Sequence, residues 1–412
     1  MMYKKIIGIF LLSLTFFTFS EMAFAHGERA QQAGLRMRTL NWWDIEVTPK
    51  KVAVNEVITI KGKFSPSVWW PKHMANPSER LAYLNIGVPG PVFVRIDSRV
   101  NGVPMIRSTH FELGETYDFE IKLKARTPGR YHMHPVLSVH DTGPIIGSGQ
   151  WVEITGDQKD FENKVTTLTG EVIDLETQGM KQIVTWHLFW VAVGLAWMFY
   201  WFRKLPVLMP RFKEVERLGP LHANDMISMK DMVVGVVFFG GILIAIAASY
   251  VWTQNQYPVT TPLQTGEVEV APLPGQGDVV QIKMLDARYR LPGRSFKVDL
   301  EVTNNGDSPI RLGEFLTANI RFVNRDVMGD VQPIDEQDLI AKEGLVVDDN
   351  LIQPGEMRKI TLRAEDALWE TMRLTSLVYD PDSRFAAMLF FFDGEGKRYH
   401  IEVGGQMMPT FS

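Results

Sequence analysis

The sequence predicts a mainly β protein with membrane helices, in which two antiparallel β-sandwich domains are joined by a two-helix transmembrane hairpin. Three observations indicate this class. Short runs of alternating apolar and polar residues occur near both ends of the 412-residue chain, and this period of two is typical of strands with one buried face. Between them lie two uncharged apolar stretches of membrane-spanning length. The chain is also long enough to build more than one core.

The chain begins with a secretory pattern. A short basic start precedes an apolar run from Ile6 to Phe19, and an A-x-A sequence ends at Ala25. This order of features predicts a signal peptide over residues 1–25. Its removal would make His26 the first residue of the exported chain.

The first sandwich is predicted within an N-terminal domain, residues 26–180. Its alternating runs are KVAVNEVITIKGKF, GPVFVRID, YDFEIKLKA and GQWVEITG. Pro, Gly and Asn residues separate these runs, as expected for turns between antiparallel strands.

The membrane hairpin is predicted over residues 181–254, with helices at 183–202 and 232–252. His187 is the one titratable side chain of the usual acidic, basic and histidine types within them. The connecting loop is basic overall. Its basic residues, which outnumber its acidic ones, are Arg203, Lys204, Arg211, Lys213, Arg217 and Lys230. The positive-inside rule therefore predicts a cytoplasmic loop and two periplasmic domains.

A second sandwich is predicted in the C-terminal domain, residues 255–412. Its alternating runs are VVQIKMLDARYR, SFKVDLEVTNNG, RKITLRA and AAMLFFFD. The Pro- and Gly-containing segment 258–278 is typical of a linker. The Leu and Met spacing of residues 366–380 predicts a short helix.

Composition excludes several classes of function. The net charge is −5, with 43 basic and 48 acidic residues, so there is no basic surplus for binding nucleic acid. The chain has no cysteine, which excludes disulfides, thiolate-ligated blue-copper centres and cysteine-ligated iron-sulfur clusters. No phosphate loop, G-x-S-x-G or H-E-x-x-H motif supports a nucleotide-binding or hydrolase function.

Histidines supply the candidate metal ligands. His132 and His134 lie two apart in the strand-like run GRYHMHPVLSV, so both side chains face one side, about 6.6 Å apart. An N-terminal His26 can chelate one metal ion through its amine and its ring. Amine and imidazole nitrogens favour Cu(II) over Mg²⁺ or Zn²⁺. His140 has the same strand parity, and whether it contributes stays open.

Several long blocks resemble the B-type subunit of the copper membrane monooxygenases, the family of particulate methane monooxygenase and ammonia monooxygenase. They include AHGERAQQAGLRMRT, LNIGVPGPVFVR, KARTPGRYHMHPVLSV, WHLFWVAVGLAWMFYW, YPVTTPLQTG and YDPDSRFAAMLFFFD, and the resemblance covers nearly the whole mature chain. It implies two cupredoxin-like domains and copper held by His26, His132 and His134. Some methane-oxidising members have a further histidine where this chain has Asn41, so one copper site is expected.

The resemblance also implies partners and a reaction. Two other largely transmembrane subunits are expected, as a trimer of heterotrimers embedded in lipid in the inner or intracytoplasmic membrane of a bacterium. Hydroxylation of methane with O2 and electrons from a quinol is the first expectation, because the blocks resemble methane-oxidising members most. Ammonia or a short alkane remains open as the substrate. A non-catalytic copper-binding scaffold, with the active site on a membrane partner, also remains open.

Overall fold

The computed structural model describes residues 31–167, 169–204, 209–222, 227–256, 267–290, 295–333, 338–379 and 382–411. The predicted signal peptide and His26 lie outside this part of the chain. The described residues form two compact units. One contains 31–161 together with 267–411, and the other contains 162–256.

The first sandwich is built from ten strands. They are β1 (Leu40–Thr48), β2 (Lys51–Ala53), β3 (Val57–Pro66), β4 (Ala82–Gly87), β5 (Phe93–Val100), β6 (Val103–Pro104), β7 (Tyr117–Ala125), β8 (Gly129–Val139), β9 (Gly143–Ile146) and β10 (Gln150–Thr155). One sheet has the order β1-β3-β7-β5-β6. The other has the order β2-β10-β8-β4, with β9 also paired to β8.

Alternation in the sequence accounts for these sheets. Along β7 every second residue from Tyr117 to Ala125 is buried, because successive side chains of a strand point to opposite faces. The buried face packs against aromatic residues of the same sandwich, including Trp42 and Phe64, whose ring centroids are 5.3 Å apart. The predicted first sandwich is therefore confirmed.

The second unit contains two short strands and three helices. They are β11 (Lys164–Thr166), β12 (Val172–Asp174) and the helices Met180–Lys204, Met209–Leu218 and Met229–Gln256. The first and third helices are long and apolar enough to cross a membrane, as predicted. Tyr200 of the first donates a 2.5 Å hydrogen bond to Asp231 of the third. At the start of the third helix the Ser228 N–H donates to the same carboxylate and the Ser228 Oγ accepts from the Asp231 N–H, which together form a capping box.

The second sandwich contains the remaining strands and two short helices. They are β13 (Val280–Arg290), β14 (Ser295–Asn304), β15 (Ile310–Thr317), β16 (Ile320–Val323), the helix Arg325–Met328, β17 (Ile340–Ala341), β18 (Leu345–Asp348), β19 (Met357–Glu365), the helix Leu368–Thr371, β20 (Arg384–Asp393), β21 (Arg398–Gln406) and β22 (Met408–Thr410). Its sheets have the orders β18-β19-β14-β13-β22 and β17-β16-β15-β20-β21. The helix predicted within 366–380 is present as Leu368–Thr371, followed by a 3-10 turn, Leu374–Tyr379.

The segment predicted as a linker packs partly on the first sandwich. Within its described part, Val270 is buried in the core of that sandwich. The backbone N–H groups of Val268 and Leu273 donate to the carbonyls of Ser108 and Thr116 at 3.0 and 2.9 Å. Hydrogen bonds and apolar burial therefore hold this segment along the sandwich.

The two sandwiches share an apolar junction. Trp43 of β1 packs with Leu316, Met388 and Phe390 of the second sandwich, and all four are buried. At its border the guanidinium of Arg398 makes a two-pronged ion pair with Asp44. The sandwiches are thus held together by both apolar burial and paired charge.

A short helix, Ala33–Arg38, precedes β1 and was not predicted from the sequence. We call it the arm helix. Its Ala33 and Met37 are buried in the core of the second sandwich, although the strand that follows belongs to the first.

Candidate metal centre

His132 and His134 lie where β8 changes its neighbours. The strand pairs with β10 from Gly129 to Met133 and with β4 from His134 to Val139. On the β10 side the next partner is β9, which begins to pair at Val136. Residues 147–149 span the gap between β9 and β10, directly beside the two histidines.

Pro135 explains why the ladder is interrupted there. Proline has no N–H to donate to a neighbouring strand, and its carbonyl accepts a hydrogen bond from the Gly147 N–H at 2.8 Å. The Gly-Ser-Gly connection then passes close to β8, which places backbone atoms rather than side chains against the imidazoles.

The two imidazoles converge as the strand parity predicted. Their ring centroids are 4.5 Å apart and their planes are perpendicular. The Nε2 atoms of both rings are buried, and His134 as a whole is 6% exposed. The pair therefore presents two nitrogen atoms in a sheltered place.

A backbone carbonyl orients His134. Its Nδ1 lies 2.9 Å from the Gly147 carbonyl oxygen. Because a carbonyl oxygen only accepts hydrogen bonds, Nδ1 carries the proton in this contact and Nε2 carries the lone pair. This is the arrangement usual for a metal-binding histidine, whose second ring nitrogen donates to a carbonyl or carboxylate.

Trp151 supports His132 from the adjacent strand. The two residues are register partners in β10 and β8, and their ring centroids are 5.0 Å apart. The Arg130 guanidinium lies 4.6 Å from the centre of the same indole, a cation–π distance. The indole thus limits the rotation of the His132 ring.

The Gly149 backbone lies directly against both imidazole rings. A Cβ atom at this position would lie 2.5 Å from Cε1 of His134 and 2.6 Å from Cε1 of His132, much closer than van der Waals contact. Only the absence of a side chain lets the backbone approach both rings. Gly149, Gly147 and Trp151 were not predicted as site residues, because their roles come from contacts between strands.

These residues fit a copper ion better than a hard cation. The pair offers neutral imidazole nitrogens, which suit Cu and Zn, whereas Mg²⁺ and Ca²⁺ prefer oxygen. Among the described residues no group of three or more His, Asp or Glu side chains is arranged to hold a metal. A third protein ligand from the described acidic and histidine residues is therefore not in place, and His26, the predicted one, lies outside them.

The other histidines lie elsewhere. His140 is exposed in the turn after β8, and its Nδ1 is 3.2 Å from Asp141. Six residues of strand, about 20 Å, separate it from His134. His110 contacts Glu267 at 2.8 Å, and Nδ1 of His187 lies 2.8 Å from its own helix's Ile183 carbonyl.

Asn41 is buried at the junction of the sandwiches. Its amide donates to Glu402 at 3.2 Å, and the Val68 N–H donates to the other oxygen of that carboxyl group at 2.9 Å. Burial raises the pKa of Glu402. The position thus holds an amide–carboxyl contact in this chain.

Known proteins resemble nearly the whole chain. The family model for the monooxygenase B-type subunit matches residues 27–411. The particulate methane monooxygenase alpha subunit of Methylococcus capsulatus is 42% identical over 395 residues, which cover 95% of this chain and 94% of that protein.

Solved structures show only weak overall likeness. The cupredoxin domain of amoB from Nitrosocaldus yellowstonii has a TM-score of 0.24 and 14% identity, covering 30% of this chain and 91% of that one. A PapD-like domain of human CEP192 has a TM-score of 0.16 and 10% identity, covering 37% of this chain and 99% of that one. The assignment therefore depends on the sequence matches, which show that this chain belongs to the family of monooxygenase B-type subunits.

Proposed function

We propose that this chain is the copper-binding subunit of a membrane-bound monooxygenase that hydroxylates methane with O2, with copper held by His26, His132 and His134. The observation that carries the proposal is the buried, perpendicular His132–His134 pair, 4.5 Å between ring centroids. The 42% identical relative is named as a particulate methane monooxygenase subunit, which supports methane as the substrate.

The reach of the chain supports His26 as the third ligand. The Gln31 side-chain amide donates to the Pro144 carbonyl at 2.5 Å, and Pro144 is the register partner of Ser138 in β8. Ser138 is four residues, about 13 Å, from His134 along the strand. The five residues from Gln31 back to His26 span up to about 17 Å when extended, so the amine and ring of His26 can reach the pair.

Bound copper would supply the redox chemistry of O2, in which one oxygen atom enters a C–H bond and the other becomes water with two electrons and two protons. The residues of this chain would hold and shape that site. The Gly147 carbonyl fixes Nδ1 of His134 and so leaves Nε2 for the metal. Trp151 limits the rotation of His132, and Gly149 shelters both rings. A quinol is the proposed electron source.

The assembly and its location are part of the proposal. Two largely transmembrane partner subunits would complete a heterotrimer, assembled three times in the inner or intracytoplasmic membrane of a bacterium. The basic loop between the long helices supports a cytoplasmic position for that loop. Both sandwiches would then be periplasmic, where copper and the processed N-terminus are available.

Replacing either His132 or His134 by alanine should remove copper. Each change deletes one of three proposed protein ligands. We therefore expect the copper content of the purified chain, exported and processed to begin at His26, to fall at least about tenfold. Metal analysis measures this directly. His140→Ala is the matched control, since His140 is exposed and paired with Asp141, and should keep its copper. Full copper retention in both ligand variants would show that the pair is not the site.

The same variants separate catalysis from scaffolding. In membranes containing the assembled complex, loss of methane-dependent O2 uptake along with the copper would support oxidation at this site. Retained uptake after copper loss would instead favour a scaffold whose partner carries the active site. Replacing methane by ammonia or a short alkane in the same assay tests the alternative substrates.

A further inference from the structure

The arm helix contains two arginines that are unusually deeply buried. Arg36 is 3% and Arg38 is 1% exposed, although arginine is rarely buried without a partner. Both reach into the second sandwich. Arg36 donates to the Met372 carbonyl, and Arg38 forms a 2.6 Å ion pair with Asp382.

Asp382 holds Arg38 in a defined place. Arg384 donates to both oxygens of Asp382 at 2.8 and 2.9 Å, so the carboxylate is fixed from the strand side while Arg38 binds it from the arm. These hydrogen bonds lower the pKa of Asp382 to about 2. The carboxylate is therefore ionised at neutral pH and balances the buried guanidinium.

The arm helix and the residues just before it contact both sandwiches. The helix packs in the second sandwich through Ala33 and Met37, while the Gln31 side chain donates a hydrogen bond to the Pro144 carbonyl of the first. Gln31, two residues before the first helical residue, thus lies beside the hairpin of β8 and β9, and His134 lies on the same strand β8. The chain leading to His26 leaves from this fixed point.

We infer that the second sandwich acts as a clamp on the arm helix, which stays docked because Asp382 compensates the buried charge of Arg38, and that this clamp positions the N-terminal segment for metal binding at His132 and His134. The inference rests on the proposed ligand set. Asp382 is a positioning residue here and touches no metal. The clamp gives the second sandwich a role in a metal site built on the first, because fixing the chain at the arm shortens the segment that must be ordered when His26 binds and so lowers the entropy cost.

Asp382→Asn tests the clamp. It leaves Arg38 as an incompletely compensated buried charge, which is strongly unfavourable, so the arm should be released. We expect Cu(II) affinity of the exported full-length chain in detergent to weaken about tenfold or more, the cost of ordering even one or two residues on binding. Competition against a chelator of known affinity measures it, and paramagnetic resonance reports the nitrogen ligands.

A second change separates positioning from general damage. Adding Arg38→Met to Asp382→Asn removes the stranded charge and keeps apolar bulk, so the double variant should recover most of the affinity. Asp348→Asn, which breaks the exposed pair with Arg363 in the same sandwich, should leave affinity unchanged. If Arg38→Met fails to restore affinity, Asp382 acts through its own sandwich and the clamp is wrong.

One residue added before His26 isolates the ligand. This extension should weaken binding by itself, and Asp382→Asn should add little in the extended chain, because both changes act through the same group. Independent, additive losses would overturn the clamp. Unchanged affinity in the extended chain would overturn the ligand set and the clamp with it, whereas an impaired extended chain with an unaffected Asp382→Asn would overturn the clamp alone.

Discussion

Gly149→Ala is expected to abolish stable copper binding by the full-length chain. The new methyl group would lie 2.5 Å from His134 and 2.6 Å from His132, so both rings would have to move. Neither ring can move freely, because the Gly147 carbonyl accepts a hydrogen bond from Nδ1 of His134 and the Trp151 indole lies against the His132 ring. The overpacking should also cost about 1–3 kcal/mol of stability. Metal analysis and paramagnetic resonance of the purified chain measure the loss.

Gly87→Ala is the matched control. Gly87 is the register partner of His134 in the same sheet, and a Cβ there would lie 3.1 Å from Val136 and 3.8 Å from the Cβ of His134, away from the ring nitrogens. The variant should lose some stability and keep its copper. If Gly149→Ala kept a full copper complement with an unchanged spectrum, the sheltering role of the Gly-Ser-Gly connection would be refuted.

Local sequence pattern predicted most of the fold. Strands with one buried face alternate in a way that is visible in the residues themselves, as in β7 and in β14, where every second residue is buried. The two long helices are visible for a similar reason, since their apolar runs exceed what a strand needs. Both signals arise within a single element, so no knowledge of its neighbours is required.

The arm helix could not be predicted in this way. It has six residues, AGLRMR, and two arginines would ordinarily indicate an exposed face. Their burial depends on Asp382 and Met372, which lie more than three hundred positions away in the sequence. Contacts between distant elements determine the burial of such a segment.

The candidate site likewise contains some residues that a single strand predicts and others that depend on contacts between strands. His132 and His134 were predicted because strand parity alone places them on one side. Gly149 and Trp151 became visible only once β10 was placed beside β8. His400, which had no predicted role, lies at the junction of the sandwiches, where its ring centroid is 5.2 Å from that of Trp43.

Acid should lower the free energy of unfolding of the unit formed by the two sandwiches, because His400 is a titratable group at their junction. Burial, Arg398 and Lys63 lower the pKa of His400 to about 4 from an ordinary value of 6.5, against a smaller opposing effect of Asp44. Protons therefore bind the unfolded chain more readily, and stability present above pH 6.5 is lost progressively as the pH falls towards 4. A shift of this size corresponds to about 3 kcal/mol. In this large unit we expect the unfolding midpoint to fall by roughly 5–10 °C.

His400→Gln isolates this contribution, because glutamine is polar but does not titrate. The glutamine side chain should preserve contact with Thr116, whose hydroxyl oxygen lies 2.9 Å from the His400 Nε2. The variant's unfolding midpoint should depend less steeply on pH between 6.5 and 4.

Glu402→Gln is the control, because Glu402 lies close to His400 in the same strand. The pKa of Glu402 is raised by burial, so its contribution is present at low pH and lost as the pH rises, opposite in direction to that of His400. Removing Glu402 should therefore leave the acid loss in place. Thermal unfolding of the full-length chain in detergent from pH 7.5 to 4 measures all three proteins, and parallel curves for wild type and His400→Gln would assign the acid sensitivity to other groups.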